Sequence, residues 1–228
     1  TGQAPEKLRD TLLSLLQGNK DRIPFAQGKF GMGSSGAINF CTGGYQLIIS
    51  RKNPDILEQD ESDDIGFTVT KKFKADPNKT PPEKKSTTKY LIINGEVPKI
   101  KANKLKIIPS SKYEDGPYAK DWEYGTFIKC YSYQIGPYKN NIDLYRRLSV
   151  LLPNPPMSLR MYERRAGFSG NTLDITMSGL DTRLISDRGN NLEESTPFFF
   201  KFDVEGQPFK VKIYVLKHNV SNLRWQRS

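Results

Sequence analysis

Apolar positions along this chain follow two spacings. Near the amino end, Leu8, Leu12, Leu15 and Leu16 recur at helical spacing, Pro5 suits a first turn and Glu6 suits the positive amino end. The pattern predicts a helix over 4–17 that Gly18 and Asn19 stop. A short helix through Ala37, Ile38, Phe40 and Cys41 is expected after a glycine cluster, ending at Gly43 and Gly44. Beyond it, β-branched and aromatic runs predict strands at 45–50, 66–73, 89–93, 105–108 and 126–134, then at 158–163, 172–177, 197–204 and 209–216. One helix interrupts them at 141–152, opened by Asn140 or Asn141 and stopped by Pro153. Early helices followed mostly by strands, with no internal repeat, predict an α+β fold on a mixed or antiparallel sheet.

Composition narrows the classes. At 228 residues, 36% hydrophobic and 11% aromatic, the chain can build one large domain, or one and the beginning of a second. No apolar run approaches the roughly 18 to 20 residues that cross a bilayer, and no leader peptide opens the chain, so a cytoplasmic placement (nuclear in a eukaryote) without membrane partners is expected. The start on Thr1 reads as that of a fragment. Cys41 and Cys130 read as two reduced thiols, with a single bridge as the alternative. One histidine, His218, argues against most zinc sites and against triads that need a placed imidazole.

The net charge of +10 is unevenly spread. Asp55, Glu58, Asp60, Glu61, Asp63 and Asp64 form an acidic run, and a lysine-rich stretch follows from Lys71 to Lys106. That stretch is either a solvated loop between strands or an arm that tracks phosphates, which would need its lysines ordered along one face.

The clearest chemistry is in Gly28-Lys29-Phe30-Gly31-Met32-Gly33-Ser34-Ser35-Gly36. Glycines let backbone N–H groups turn toward an anion, and a following helix adds its own amino-terminal donors, so the segment reads as a phosphate cradle, with a structural turn as the alternative. Gly31, Gly33 and Gly36 also satisfy GxGxxG, with Asp55 at about the dinucleotide spacing, but Asp21 to Gln27, with Pro24, makes a poor preceding strand. No kinase motif set accompanies the glycines, and the GxxxxGK[ST] P-loop is absent.

In their order, these motifs resemble the GHKL ATPase superfamily of gyrase, the heat-shock chaperone of ninety kilodaltons, histidine kinases and MutL, and most nearly its MORC branch. Thr1-Gly2-Gln3 followed by Pro5 is similar to the tail of the first glycine box, DxGxG. Residues 18 to 36 resemble the ATP lid and the second box, GxxGxG, with Lys20 as the lid lysine. Gly125-Thr126-Phe127-Ile128 resembles the third box, whose threonine supports the adenine site. Leu144 to Tyr162 resembles the helix and strand that follow it.

The resemblance implies a two-layer α/β sandwich of the Bergerat type over 1–190 and the start of a β-rich, transducer-like domain over 191–228. It implies ATP with Mg2+ as ligands and places Gly2, Lys20, Gly28, Lys29, Gly31, Met32, Gly33, Ser34 and Thr126 around the nucleotide. It further implies ATP-dependent lid closure and a nucleotide-dependent homodimer. The family's catalytic glutamate, its magnesium-holding asparagine and its adenine-reading aspartate all fall upstream of Thr1, so a chain beginning there is expected not to hydrolyse ATP.

Other features have two readings. Lys217 is either the lysine that reaches the terminal phosphate or a strand-end surface lysine. Arg164, Arg165, Trp122, Tyr124, Tyr131 and Tyr133 are either a stacking platform for single strands or sheet packing. The second function class is a non-catalytic nucleic-acid-binding module that takes DNA through the basic insertion 70–106. A dinucleotide-dependent oxidoreductase is the third.

Overall fold

A computed structural model describes residues 2–13, 37–107, 121–134, 144–145, 147–148, 151–152, 154–155, 159–162 and 174–218. They fall into two compact units, within Thr1–Gln134 and within Ile135–Ser228.

The first unit is built on five strands: β1 (Tyr45–Arg51), β2 (Ile65–Phe73), β3 (Thr87–Tyr90), β4 (Lys99–Ile100) and β5 (Gly125–Cys130). Their order is β3-β2-β1-β5, with β4 pairing the other end of β2, and every pair is antiparallel. Alternation along β1 separates two faces. The front face carries Gln46, Ile48 and Ser50, opposite Thr70, Thr68 and Gly66 of β2 and Cys130, Ile128 and Thr126 of β5. Tyr45, Leu47, Ile49 and Arg51 belong to the back face. The amino-terminal segment covers the β2 side of the front face: a Cβ added to Gly66 would lie 2.9 Å from Leu8 Cδ1 and 3.1 Å from Pro5. Ala4, Leu8 and Ile65 are fully buried and Ile48 nearly so.

In the second unit, β6 (Leu159–Tyr162) pairs with β7 (Asp174–Met177), and β8 (Phe198–Val204) pairs with β9 (Gln207–Ile213). Two short helices, α1 (Leu180–Ser186) and α2 (Arg188–Asn191), stand between these hairpins in the chain and bury Leu184 and Asn191. Glu205 and Gly206 close the second hairpin at φ 52° and 76°, the left-handed pair that a two-residue turn needs. The fold is α+β and rich in strands.

Several elements differ from expectation. The helix expected over 4–17 is, in its described part, a 3-10 turn (Pro5–Lys7) followed by turns, because Leu8 N and Asp10 N bond three residues back and Leu13 N five. The strand expected over 126–134 stops at Cys130, beyond which Ser132 takes φ 46°. At 105–108 the described residues give a single bridge, Leu105 to Trp122. The strand expected over 89–93 is shifted to Thr87–Tyr90, and an Asn94–Gly95 turn at φ 51° and 84° follows it. Residues 144–145, 147–148 and 151 are helical, within the helix expected over 141–152. Among the described residues, no helix is long and apolar enough to cross a membrane.

Candidate nucleotide site

Two of the sequence-predicted positions, Gly2 and Thr126, lie at one corner of the front face, Gly2 against Arg51 and Gly125 and Thr126 against Ser50. Gly2 has φ +82°, and a Cβ there would lie 1.7 Å from the Arg51 carbonyl oxygen and 3.0 Å from Gly125 N. Only glycine fits so close an approach, which seats the amino-terminal segment against the end of β1 and the start of β5. The next residue, Gln3, donates its backbone N–H to Ser50 Oγ at 2.9 Å.

Ser50 is the hub of this corner, and sequence reasoning missed it. It is fully buried, and its hydroxyl lies 2.9 Å from Thr126 Oγ1 and 3.2 Å from the Gly125 carbonyl. A hydroxyl has one proton and two lone pairs. With Gln3 N–H accepted, Ser50 can donate to Gly125 or to Thr126, and in either arrangement Thr126 keeps capacity for a further partner. Thr126 itself is exposed, as is Ile128 two residues along the same face. The β5 side of the front face therefore offers a hydroxyl beside one exposed isoleucine, next to the packed amino-terminal segment.

Arg51, also missed, braces the corner from behind. Its side chain is 5% exposed. Nε and Nη2 donate to the Asp63 carboxylate at 3.0 and 2.9 Å, and Nη1 donates to the carbonyls of Asn103 and Glu123, each at 2.7 Å. One planar cation thus ties together the chain before β2, the loop after β4 and the residue two before β5. The signal for both residues is a lapse in the strand's apolar run: Ser50 and Arg51 close β1 where further apolar residues would extend it.

The acidic run is spent locally. Asp60 pairs with Lys7 at 2.7 Å, Glu61 with Lys52 at 2.5 Å and Asp64 with Lys99 at 3.7 Å. Glu6 accepts from Ser62 Oγ at 2.8 Å and from Lys99 at 3.0 Å. Burial pushes its carboxyl up, but hydrogen bonds from its own backbone N–H, Ser62 and Lys99 outweigh burial and hold it below the usual range. A cleft of about 280 Å³ opens beside it, between the amino-terminal turn and the segment from Tyr90 to Lys99. The cleft mixes Glu6, Asp10 and Glu96 with Arg9 and Lys99, so it does not select an anion, and neither Gly2 nor Thr126 lines it.

Burial and the neighbouring Cys130 push the Cys41 thiol up to about 11, which makes it a poor nucleophile at neutral pH. Lys217 is occupied within the second unit, where its ammonium donates to the Gly189 carbonyl at 2.6 Å. Lys20, Gly28, Lys29, Gly31, Met32, Gly33 and Ser34 lie outside the described residues, as do Arg164 and Arg165. Among the described residues, no three His, Cys, Asp or Glu side chains group as a metal site would need.

No protein-family model, curated protein or solved structure matches this chain.

Proposed function

We propose that this chain is the ATP-binding part of a GHKL-type ATPase of the MORC kind, built as a two-layer Bergerat sandwich with the nucleotide on the front face. The observation that carries the reading is the convergence on Ser50 Oγ of Gln3, 47 positions away, and Thr126, 76 positions away. Those two segments are the ones that resemble the first and third family boxes, and a chance resemblance gives no reason for them to touch.

In this reading the purine edge meets Thr126 and the ring rests beside Ile128. The phosphates run to the amides of Gly28, Gly31 and Gly33 with their neighbours Lys29, Met32 and Ser34, and Lys20 reaches in from the lid. Among the described residues, none is magnesium ligand or general base in this reading. ATP acts as a switch: it closes the lid and favours a dimer only to the extent that it binds the closed state more tightly.

The test is binding of a fluorescent non-hydrolysable ATP analogue with magnesium to the full-length protein. Thr126→Val, which keeps the shape and removes the hydroxyl, is expected to weaken binding about tenfold while changing stability by less than ~1 kcal/mol. Gly31→Val with Gly33→Val is expected to abolish it. Unchanged binding in both variants sinks the proposal.

A further inference from the structure

The back face of the first sheet bears a second surface that the ATP reading does not use. One row of residues crosses four strand positions. Lys89 of β3 stands opposite Lys71 of β2, Lys71 stands opposite Tyr45 of β1, and Tyr131, just past β5, bonds its N–H to the Tyr45 carbonyl at 3.2 Å. Phe73 lies two residues beyond Lys71 and Lys129 two residues before Tyr131, both on the same face. The aromatic rings are open to solvent: Tyr45 is 37%, Phe73 40% and Tyr131 39% exposed.

The lysines sit over these rings. Lys71 Nζ is 4.8 Å from the Tyr45 centroid and 5.0 Å from that of Phe73, Lys89 Nζ is 5.5 Å from Phe73, and Lys129 Nζ is 5.1 Å from Tyr131. Among the described residues none of the three has a carboxylate within ion-pair reach, whereas Lys7, Lys52, Lys79, Lys99 and Lys104 each have one. Two like charges directly opposite each other on neighbouring strands destabilise a sheet. Lys71 and Lys89 hold that arrangement on the exposed face of a chain whose net charge is already +10. A polyanion turns the same pair from a cost into a contact.

We propose that this face binds single-stranded nucleic acid, with bases stacked on Tyr45, Phe73 and Tyr131 and backbone phosphates met by Lys71, Lys89 and Lys129. The rings lie on neighbouring strands, so successive bases can reach successive rings. A base that settles on a ring displaces the ammonium above it, and the freed ammonium turns to the adjacent phosphate. Base stacking is the stronger of the two contacts at an exposed ring, so the exchange is favourable. A duplex hides its base faces and gains only the charge contacts.

The lysine-rich stretch is thereby divided. Lys72 is held by Asn39, Lys79 by Glu83, Lys99 by Glu6 and Lys104 by Asp121, while Lys71 and Lys89 are directed to the sheet face together with Lys129 from outside the stretch.

The experiment is a fluorescence-anisotropy titration of the full chain against labelled oligothymidylate of about 15 nucleotides and against a duplex of equal phosphate number, from about 50 to about 200 mM salt. Neither ATP nor magnesium is present, so failure here leaves the ATP reading standing. The single strand is expected to bind at least about tenfold more tightly than the duplex. Lys71→Gln/Lys89→Gln/Lys129→Gln is expected to lose at least about tenfold in affinity and to flatten the salt slope by about 2. Tyr45→Thr/Phe73→Thr/Tyr131→Thr is expected to lose about tenfold with the slope kept. Thermal melting checks that both variants fold, and the lysine variant decides alone if the aromatic one does not. Equal affinity for duplex and single strand, no binding at low salt, or a lysine variant that binds like wild type overturns the proposal.

Discussion

The corner at Ser50 and the β8–β9 hairpin are both antiparallel pairings, and they handle burial in opposite ways. At the corner, a serine and an arginine are taken out of water, and each is met by partners from distant parts of the chain: Gln3, Thr126, Asp63, Asn103 and Glu123. In the hairpin, register places Phe198, Phe200, Phe202 and Val204 on one side with Ile213, Val211 and Phe209 opposite them. That apolar side stays about half exposed, with Phe200 at 51% and Phe209 at 47%. Its other side holds Lys201, Asp203, Lys210 and Lys212 together with Phe199, which is 71% exposed. A buried polar group needs particular partners at particular distances, whereas an apolar face needs only cover. Substitutions should thus act through individual bonds at the corner and through exposed area in the hairpin.

The strongest test of this contrast is Arg51→Met. The change leaves the Asn103 and Glu123 carbonyls without their donor and the Asp63 carboxylate without its cation. The Asp63 carboxylate is 46% exposed and regains water, so the cost expected in urea denaturation is mainly that of the lost charged hydrogen bonds to the two carbonyls, about 2–4 kcal/mol. Hydrogen exchange of the β8–β9 amides should be unchanged by it. A loss below about 1 kcal/mol shows that the loops before β2 and β5 hold without the guanidinium, and the corner is then not a brace.

How much of this was legible beforehand follows from the same contrast. Strands β1, β2, β8 and β9 were readable because long alternating or continuous apolar runs report a face directly. Strand β4, two residues long, has no period to read, and α1 and α2 are too short for one. The leucine stripe near the amino end misled, because Pro5 and Leu8 are committed to packing on Gly66 and the described backbone there bends to serve that contact instead of continuing a regular helix. At the candidate site, Gly2 and Thr126 were reachable through motif order. Ser50 and Arg51 were not, because their roles depend on partners between 12 and 76 positions away that only the folded sheet brings near. The basic stretch could be weighed in the sequence only as a whole. Which lysines are paired, and which are directed to the back face, is a matter of register.

A smaller effect is expected at Glu61, whose side chain is 3% exposed. Burial pushes its carboxyl up, but hydrogen bonds from Lys52 Nζ and the Glu58 N–H outweigh that and hold it below its ordinary value. A carboxyl depressed on folding contributes stability above its unfolded pKa and loses it as pH falls through the folded one. Lys52, raised by Glu61, behaves oppositely and loses its share only on the alkaline side. Thermal melts between about pH 3 and about pH 7 should therefore show an acid-side decline that Glu61→Gln reduces, at a cost of about 2 kcal/mol at neutral pH. If the variant declines with the wild-type slope, the pair does not govern the acid limb.

The smallest expected effect has the opposite sign and belongs to the second unit. Tyr214, just beyond β9, buries its hydroxyl with no hydrogen-bond partner among the described residues, while Lys212 Nζ lies 5.1 Å from its ring centroid. The phenol keeps its ring contacts and gains nothing for the loss of water at its oxygen, a penalty of about 1–3 kcal/mol for a typical group. Tyr214→Phe removes the penalty and keeps the ring, so a gain of about 1 kcal/mol is expected, read as a rise in Tm. The corner gives the contrasting case: Ser50→Ala removes a hydroxyl that does have partners and should lower Tm. If both substitutions lower Tm, the Tyr214 hydroxyl has a partner in the folded protein, and the second unit satisfies its buried polar groups as strictly as the first.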